Sequence, residues 1–154
     1  MIRVRDFRAI EWDRKRWPNF TPAELACQCG GRFCRGEYVH SDDFVDALQG
    51  MRARIGKPIS INSAHRCSQW NAAVGGAPLS HHKTIAVDIS LTGQDPRALV
   101  TTARAEGFTG FGFHSGFLHL DRRIRPATWA YGPRSLAAWR DFLEGDLWKR
   151  LAGS

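Results

Sequence analysis

Ser80-His81-His82-Lys83-Thr84-Ile85-Ala86-Val87-Asp88 and, further along, Phe117-Leu118-His119-Leu120-Asp121 are the two stretches on which the reading of this chain turns. Ile85 to Leu91 is an apolar run of strand length, buried on at least one face, with Asp88 as an acidic intruder. A carboxylate in such a place needs a partner. In the second stretch His119 and Asp121 alternate with Leu118 and Leu120, so on a strand the two polar side chains point to one face. A catalytic zinc site takes three protein ligands from His, Asp or Glu and keeps a further position open for water or substrate. Asp88, His119 and either His81 or His82 supply that set. A lone histidine more often fills a hydrogen-bonding role in a core or at a surface. The combination is what points to a metal.

On the N-terminal side, Thr21-Pro22-Ala23-Glu24 is a capping box with proline at the first helical position. It predicts a short helix that fades into a Gly-rich loop carrying Cys27, Cys29 and Cys34. Ser41 caps a second helix, whose Phe44, Leu48, Met51 and Ile55 recur at three- and four-residue spacing before Gly56 ends it. Ile59 to Ser63 alternates like a half-buried strand, a helical piece follows at 69–74, and Gly75-Gly76-Ala77-Pro78 forces a loop. Asp95-Pro96 opens a helix that runs to about Glu106 and is closed by Gly107. Gly110 to His114 and Phe117 to Asp121 read as strands joined at Ser115-Gly116, a turn tight enough for a hairpin. After an arginine-rich, proline-broken stretch from Arg122 to Pro133, Ser135 caps a last amphipathic helix over about 135–151, with Leu136, Trp139, Phe142, Leu143, Trp148 and Leu151. The expected fold is α+β, one domain over residues 1–154, with a small antiparallel sheet and helices packed on one side of it.

A chain of 154 residues buries roughly two-thirds of the surface that its unfolded form exposes, so a core forms without staples. No stretch approaches the ~20 apolar residues of a membrane span, and residues 1–17 alternate charged and apolar positions instead of forming the apolar block of a signal peptide. The expectation is synthesis in the cytoplasm without an export signal, no membrane partner and a monomer. Basic residues exceed acidic ones by 22 to 15, which suits an anionic polymer as well as a merely soluble surface. The arginines are scattered, with no aromatic-interleaved stripe, and this argues against nucleic acid. Cys27, Cys29, Cys34 and Cys67 do not have a regular zinc-finger spacing. Loop-bracing disulfides, a small structural metal site and free thiols all fit, and the absence of an export signal favours thiols.

From about 20 to 129 the chain resembles the zinc D-Ala-D-Ala carboxypeptidase family, the M15 peptidases, in its short phage and bacterial branch. The matching residues begin with Phe20, Glu24, Leu25 and Cys27, then Gly56-Lys57-Pro58-Ile59 and Ser63-Ala64-His65-Arg66-Cys67. They continue through Asn71, Val74-Gly75-Gly76-Ala77, the Ala86-Val87-Asp88-Ile89 element, Gly110-Phe111-Gly112-Phe113 and Phe117 to Arg122. The resemblance implies a hedgehog and D-Ala-D-Ala peptidase-like fold, Zn2+ held by Asp88, His119 and an upstream histidine, and Arg66 gripping a substrate carboxylate. Arginine suits that task because its planar fork pairs bidentately with a carboxylate.

The family pattern Ser-x-His-x-x-Gly-x-Ala-x-Asp is one residue longer than the segment here. Counting back from Asp88 selects His81, with Thr84 in place of the glycine, whereas counting forward from Ser80 selects His82. The loop between histidine and aspartate sets ligand geometry, and on that ground the spacing leans to His81. Related branches place an acid three residues before the last histidine ligand, where this chain has Gly116. His114 and Asp121 are therefore the candidates for the catalytic base, Asp121 serving equally well as a carboxylate that orients His119 or Arg66. The implied activity is hydrolysis of peptidoglycan stem or cross-link peptides, as a D-Ala-D-Ala carboxypeptidase or a lytic endopeptidase. Action on the cell wall, in the periplasm, then requires delivery by phage lysis machinery or a virion. The alternative is a non-catalytic peptidoglycan-binding module that keeps the fold.

Overall fold

The structure is a computed structural model, and it describes residues 1–145. An N-terminal arm precedes the first predicted helix. Its strand β1 (Ile2–Val4) pairs antiparallel with a strand that follows the cysteine loop. The arm is fastened by Trp17, whose buried indole donates to Asp46 at 2.8 Å, and by Arg16, which forks onto the same carboxylate. Helix α1 (Pro22–Leu25) starts where the capping box predicts, with the Glu24 carboxylate accepting from the Thr21 amide at 3.2 Å. β2 (Tyr38–His40) leads into α2 (Asp42–Ile55), capped by Ser41 and ended by Gly56 in the left-handed conformation. Asp42 and Asp43 in its first turn and Arg52 and Arg54 in its last complement the helix dipole.

The remaining elements are β3 (Ile61–Ser63), α3 (Ser68–Ala73), a 3-10 turn (His81–Lys83), β4 (Val87–Ser90), α4 (Pro96–Ala105), β5 (Gly110–Phe113), β6 (Phe117–Asp121), β7 (Ala127–Ala130), α5 (Pro133–Ala138) and α6 (Arg140–Glu144). Five strands form one sheet in the order β3-β4-β6-β5-β7. β3, β4, β6 and β5 are antiparallel neighbours, as expected, while β7 adds a parallel partner to β5 and makes the sheet mixed. The connection explains the direction. β7 runs opposite to β6, which precedes it, but is laid on the far side of β5, and a strand antiparallel to β6 is parallel to β5.

Period-two alternation divides the sheet. Val87, Ile89, Phe111, Phe113, Leu118 and Leu120 join α2 and α4 in one hydrophobic core, each such side chain worth about 1.5–3 kcal/mol when fully buried. The opposite face carries Asp88, His119 and Asp121. The molecule is thus α+β, with a two-stranded antiparallel pair, a five-stranded mixed sheet and helices packed on it. No helix among the described residues is long and apolar enough to cross a membrane.

The last predicted helix differs from expectation. Gly132, not Ser135, is the cap of α5, and Ser135 lies buried inside that helix with its hydroxyl accepting from the Ser115 amide at 3.2 Å. The helical path breaks at Trp139, whose indole donates to the His114 carbonyl at 2.8 Å. Both side chains are held by the turn between β5 and β6, and that tertiary contact overrides the helical period. Trp148 and Leu151 lie outside the described residues.

Candidate metal centre

β4 and β6 are neighbours in a register that sets Asp88 directly opposite His119. The third member arrives from the loop. In the turn His81–Lys83, the His82 carbonyl accepts from the Arg66 amide at 2.6 Å, and the His82 ring is turned inward and buried. His82 Nε2 lies 3.1 Å from Asp88 Oδ1 and 3.1 Å from His119 Nδ1, and His119 Nδ1 lies 3.0 Å from the same carboxylate oxygen. All three ligand atoms fall within 4.8 Å of one another, so the three residues could hold a metal ion.

The outer hydrogen bonds reveal what the cluster faces. His82 Nδ1 lies 2.6 Å from the Ala64 carbonyl, which can only accept, so that nitrogen carries the proton. His119 Nε2 lies 2.8 Å from Asp121 Oδ2 and is a donor by the same reasoning. With both rings neutral, two nitrogen lone pairs and a carboxylate oxygen converge on one point. Three acceptors at 3 Å repel unless a cation stands between them. Zinc, which takes His and carboxylate ligands, fits this donor set. A proton is the substitute. Burial works against charge on His119, but Asp121 and Asp88 outweigh it and hold the imidazole above its ordinary value. Burial likewise opposes the Asp88 charge, yet His119 and His82 hold its carboxyl down at about 2.

Asp121 is wholly buried behind His119. Its carboxylate also accepts from the Arg123 amide at 3.1 Å, Arg123 Nε at 2.8 Å and Arg123 Nη2 at 2.5 Å. Burial raises its pKa and these partners more than reverse the effect, so Asp121 is ionised and saturated. Its hydrogen bond orients His119, and it is not among the residues that line the cleft. His114 is also removed from the cluster. Its ring stacks on Phe117 with centroids 4.2 Å apart, and its Nδ1 accepts from the Gly116 amide at 3.0 Å.

His81, towards which the spacing leans, is outside the group of three. Its Nδ1 stands 4.0 Å from Asp121 Oδ2, and its side chain is 38% exposed. The 3-10 turn over His81–Lys83 leaves His81 half-exposed on the cleft wall and buries the later histidine. Partial burial holds the His81 imidazole below its ordinary value, with Asp121 pulling the other way.

The cluster floors a cleft of about 460 Å³. One wall is the loop from Val74 to His81; the other is aromatic, made by Phe117, Trp129 and Tyr131. Arg66 reaches in, its Nε on Ser63 Oγ at 3.1 Å, its Nη1 on Asn71 Oδ1 at 3.4 Å and its Nη2 3.6 Å from Asp88 Oδ2. Arg123, Trp129 and Tyr131 are cleft residues that the sequence pattern does not single out. The signal for the aromatic pair is the alternation Thr128-Trp129-Ala130-Tyr131, masked by the arginines and proline before it. Gly110 and Gly112 make room for these side chains. A Cβ at Gly112 meets the Trp129 ring at 2.8 Å, and one at Gly110 overlaps the Asp121 carboxylate.

A comparison with curated proteins gives no match. The sequence matches the family model described as Peptidase M15 over residues 18–121, well over half of the chain, and that span takes in Arg66, His82, Asp88, His119 and Asp121. On this match the chain belongs to the peptidase M15 family.

Proposed function

We propose that this protein is a zinc peptidase that hydrolyses peptidoglycan stem or cross-link peptides, with His82, Asp88 and His119 holding the metal. The observation that carries the reading is the convergence of three buried lone-pair donors on the floor of an open cleft, with a guanidinium beside them. Zinc, when bound, acidifies a water to a pKa of about 7 and polarises a carbonyl. The chain's own residues do the rest. Asp121 fixes the His119 tautomer and ring angle. Arg66, held by Ser63 and Asn71, offers its fork to a peptide carboxylate. Its closeness to Asp88 supports a carboxylate belonging to the residue released, hence removal of a terminal residue over an internal cut. His81, on the cleft wall and partly exposed, accepts the proton of the attacking water and returns it to the leaving amine. Phe117, Trp129 and Tyr131 give the peptide an apolar wall. Delivery to the wall by phage lysis machinery or a virion belongs to the same reading.

Purified sacculi incubated with the zinc-loaded protein should release free alanine or shortened stem peptides, identified by mass spectrometry. Arg66→Lys should raise KM at least tenfold for peptides with a free carboxylate, since an ammonium does not reproduce the fork. Unchanged sacculi in the presence of fully loaded protein would overturn the peptidase reading. The second reading, a binding module without hydrolysis, draws on Gly116 at the position where related branches carry an acid. It predicts sacculus binding without cleavage, left intact by His119→Ala.

A further inference from the structure

The loop between α1 and β2, residues 26–37, has no regular secondary structure and almost no hydrocarbon to bury. From 28 to 35 the only buried residue is Cys29. Cys27, Cys29 and Cys67 form a cluster apart from the main core, with Cys34 and Trp70 packed against it. Twelve residues of loop are ordered around four sulfur atoms.

Those sulfurs have the arrangement of a ligand set. The Sγ atoms of Cys27, Cys29, Cys34 and Cys67 all lie within 4.8 Å of one another, and the Cys29 and Cys34 sulfurs are 3.6 Å apart. Four bonds of ~2.3 Å from a tetrahedral zinc place thiolate sulfurs ~3.8 Å from each other. Backbone amides point at the sulfurs: Cys67 N–H to Cys27 at 3.3 Å, Glu37 N–H to Cys34 at 3.4 Å and Trp70 N–H to Cys67 at 3.4 Å, with the Gly31 and Phe33 amides at Cys29. Amide donors of this kind stabilise negative sulfur, the state a metal requires.

We propose that Cys27, Cys29, Cys34 and Cys67 bind a second, structural zinc ion with four thiolates and no open position. The four thiols release their protons to solvent as the ion binds, and no oxidant is needed. The ion ties the loop to Cys67, which follows Arg66 and caps α3, the helix whose Asn71 holds the Arg66 guanidinium. It thereby braces the substrate-facing arginine from behind. The inference stands apart from the peptidase reading, because the two metal sites share no residue.

Full-length protein purified under reducing conditions should contain two zinc ions per chain by elemental analysis. His82→Ala/His119→Ala should retain one, and Cys67→Ser should also retain one. Cobalt substitution gives a readout that survives a folding defect in the cysteine variant. The wild type and the double histidine variant should both show intense thiolate-to-cobalt charge transfer, which a site of histidines and aspartate lacks. A mercurial that titrates four thiols should release one zinc. Wild-type protein with one zinc and no charge-transfer band overturns the proposal. So does protein with no titratable thiols before reduction, which would mean two disulfides, and so does iron in place of zinc.

Discussion

Asp121 is buried and does not line the cleft, yet its hydrogen bond to His119 Nε2 at 2.8 Å keeps the Nδ1 lone pair aimed at the cluster. Asp121→Asn should therefore cost about 10–100-fold in zinc affinity, as carboxylates that orient metal-binding histidines commonly do. Competition with a chromogenic chelator measures it. The proton that substitutes for the metal has its own consequence. His119 is raised above its ordinary value, so the stability it gives the metal-free protein is complete below about pH 6.5 and lost as the pH climbs through the folded value. Asp88 is depressed to about 2, so its contribution is complete above about pH 3.9 and lost as the pH falls through that folded value. Urea midpoints of the metal-free protein should form a plateau between about pH 4 and 6.5 and decline on either side. Zinc affinity should fall with acid once the pH drops below the folded His119 value, because the imidazolium has no Nδ1 lone pair left to give. At this scale the sequence was readable for Asp88 and His119, which strand alternation aims at one face. His82 over His81 was not, since the choice depends on a 3-10 turn and on the Ala64 carbonyl, contacts that no local spacing encodes.

The strand β5 shows how an element serves a site without supplying a ligand. Gly112 lies opposite His119 on β6 and beside Trp129 on β7, and its missing side chain is the space where the indole rests. Gly112→Ala should cost about 1–3 kcal/mol, the usual price of overpacking, and should displace Trp129 from its 5.1 Å centroid contact with His119. Urea midpoints and tryptophan fluorescence of the variant report the two effects separately. Helices with strong punctuation were legible from sequence: the Thr21 box, the Ser41 and Gly56 ends of α2, and Asp95-Pro96 before α4. Elements made by pairing at a distance were not. β1 and β2 are three residues each and exist through each other, and β7 is a strand because β5 offers a free edge. The Trp139 break belongs with them, for the side chain that stops the helix is anchored on another element.

For the whole molecule, an ion held by His82, Asp88 and His119 would be a folding ligand as well as a cofactor. Any ion that binds the native chain and not the unfolded one stabilises it by mass action, about 2.7 kcal/mol at one hundred times the dissociation constant. Chelation should lower the melting temperature at neutral pH, and readded zinc should restore it, which calorimetry tests directly. The effect should shrink in His119→Ala. Chain order adds a further consequence. β6 is the central strand, inserted between β4 and β5, and it carries both His119 and its orienting carboxylate. A nascent chain that has not yet emerged past Asp121 lacks the middle of its sheet together with the last ligand. An ion that needs all three ligands would therefore be captured at the cleft only after β6 has joined the sheet, so a chain halted short of that strand should gain no stability from added zinc.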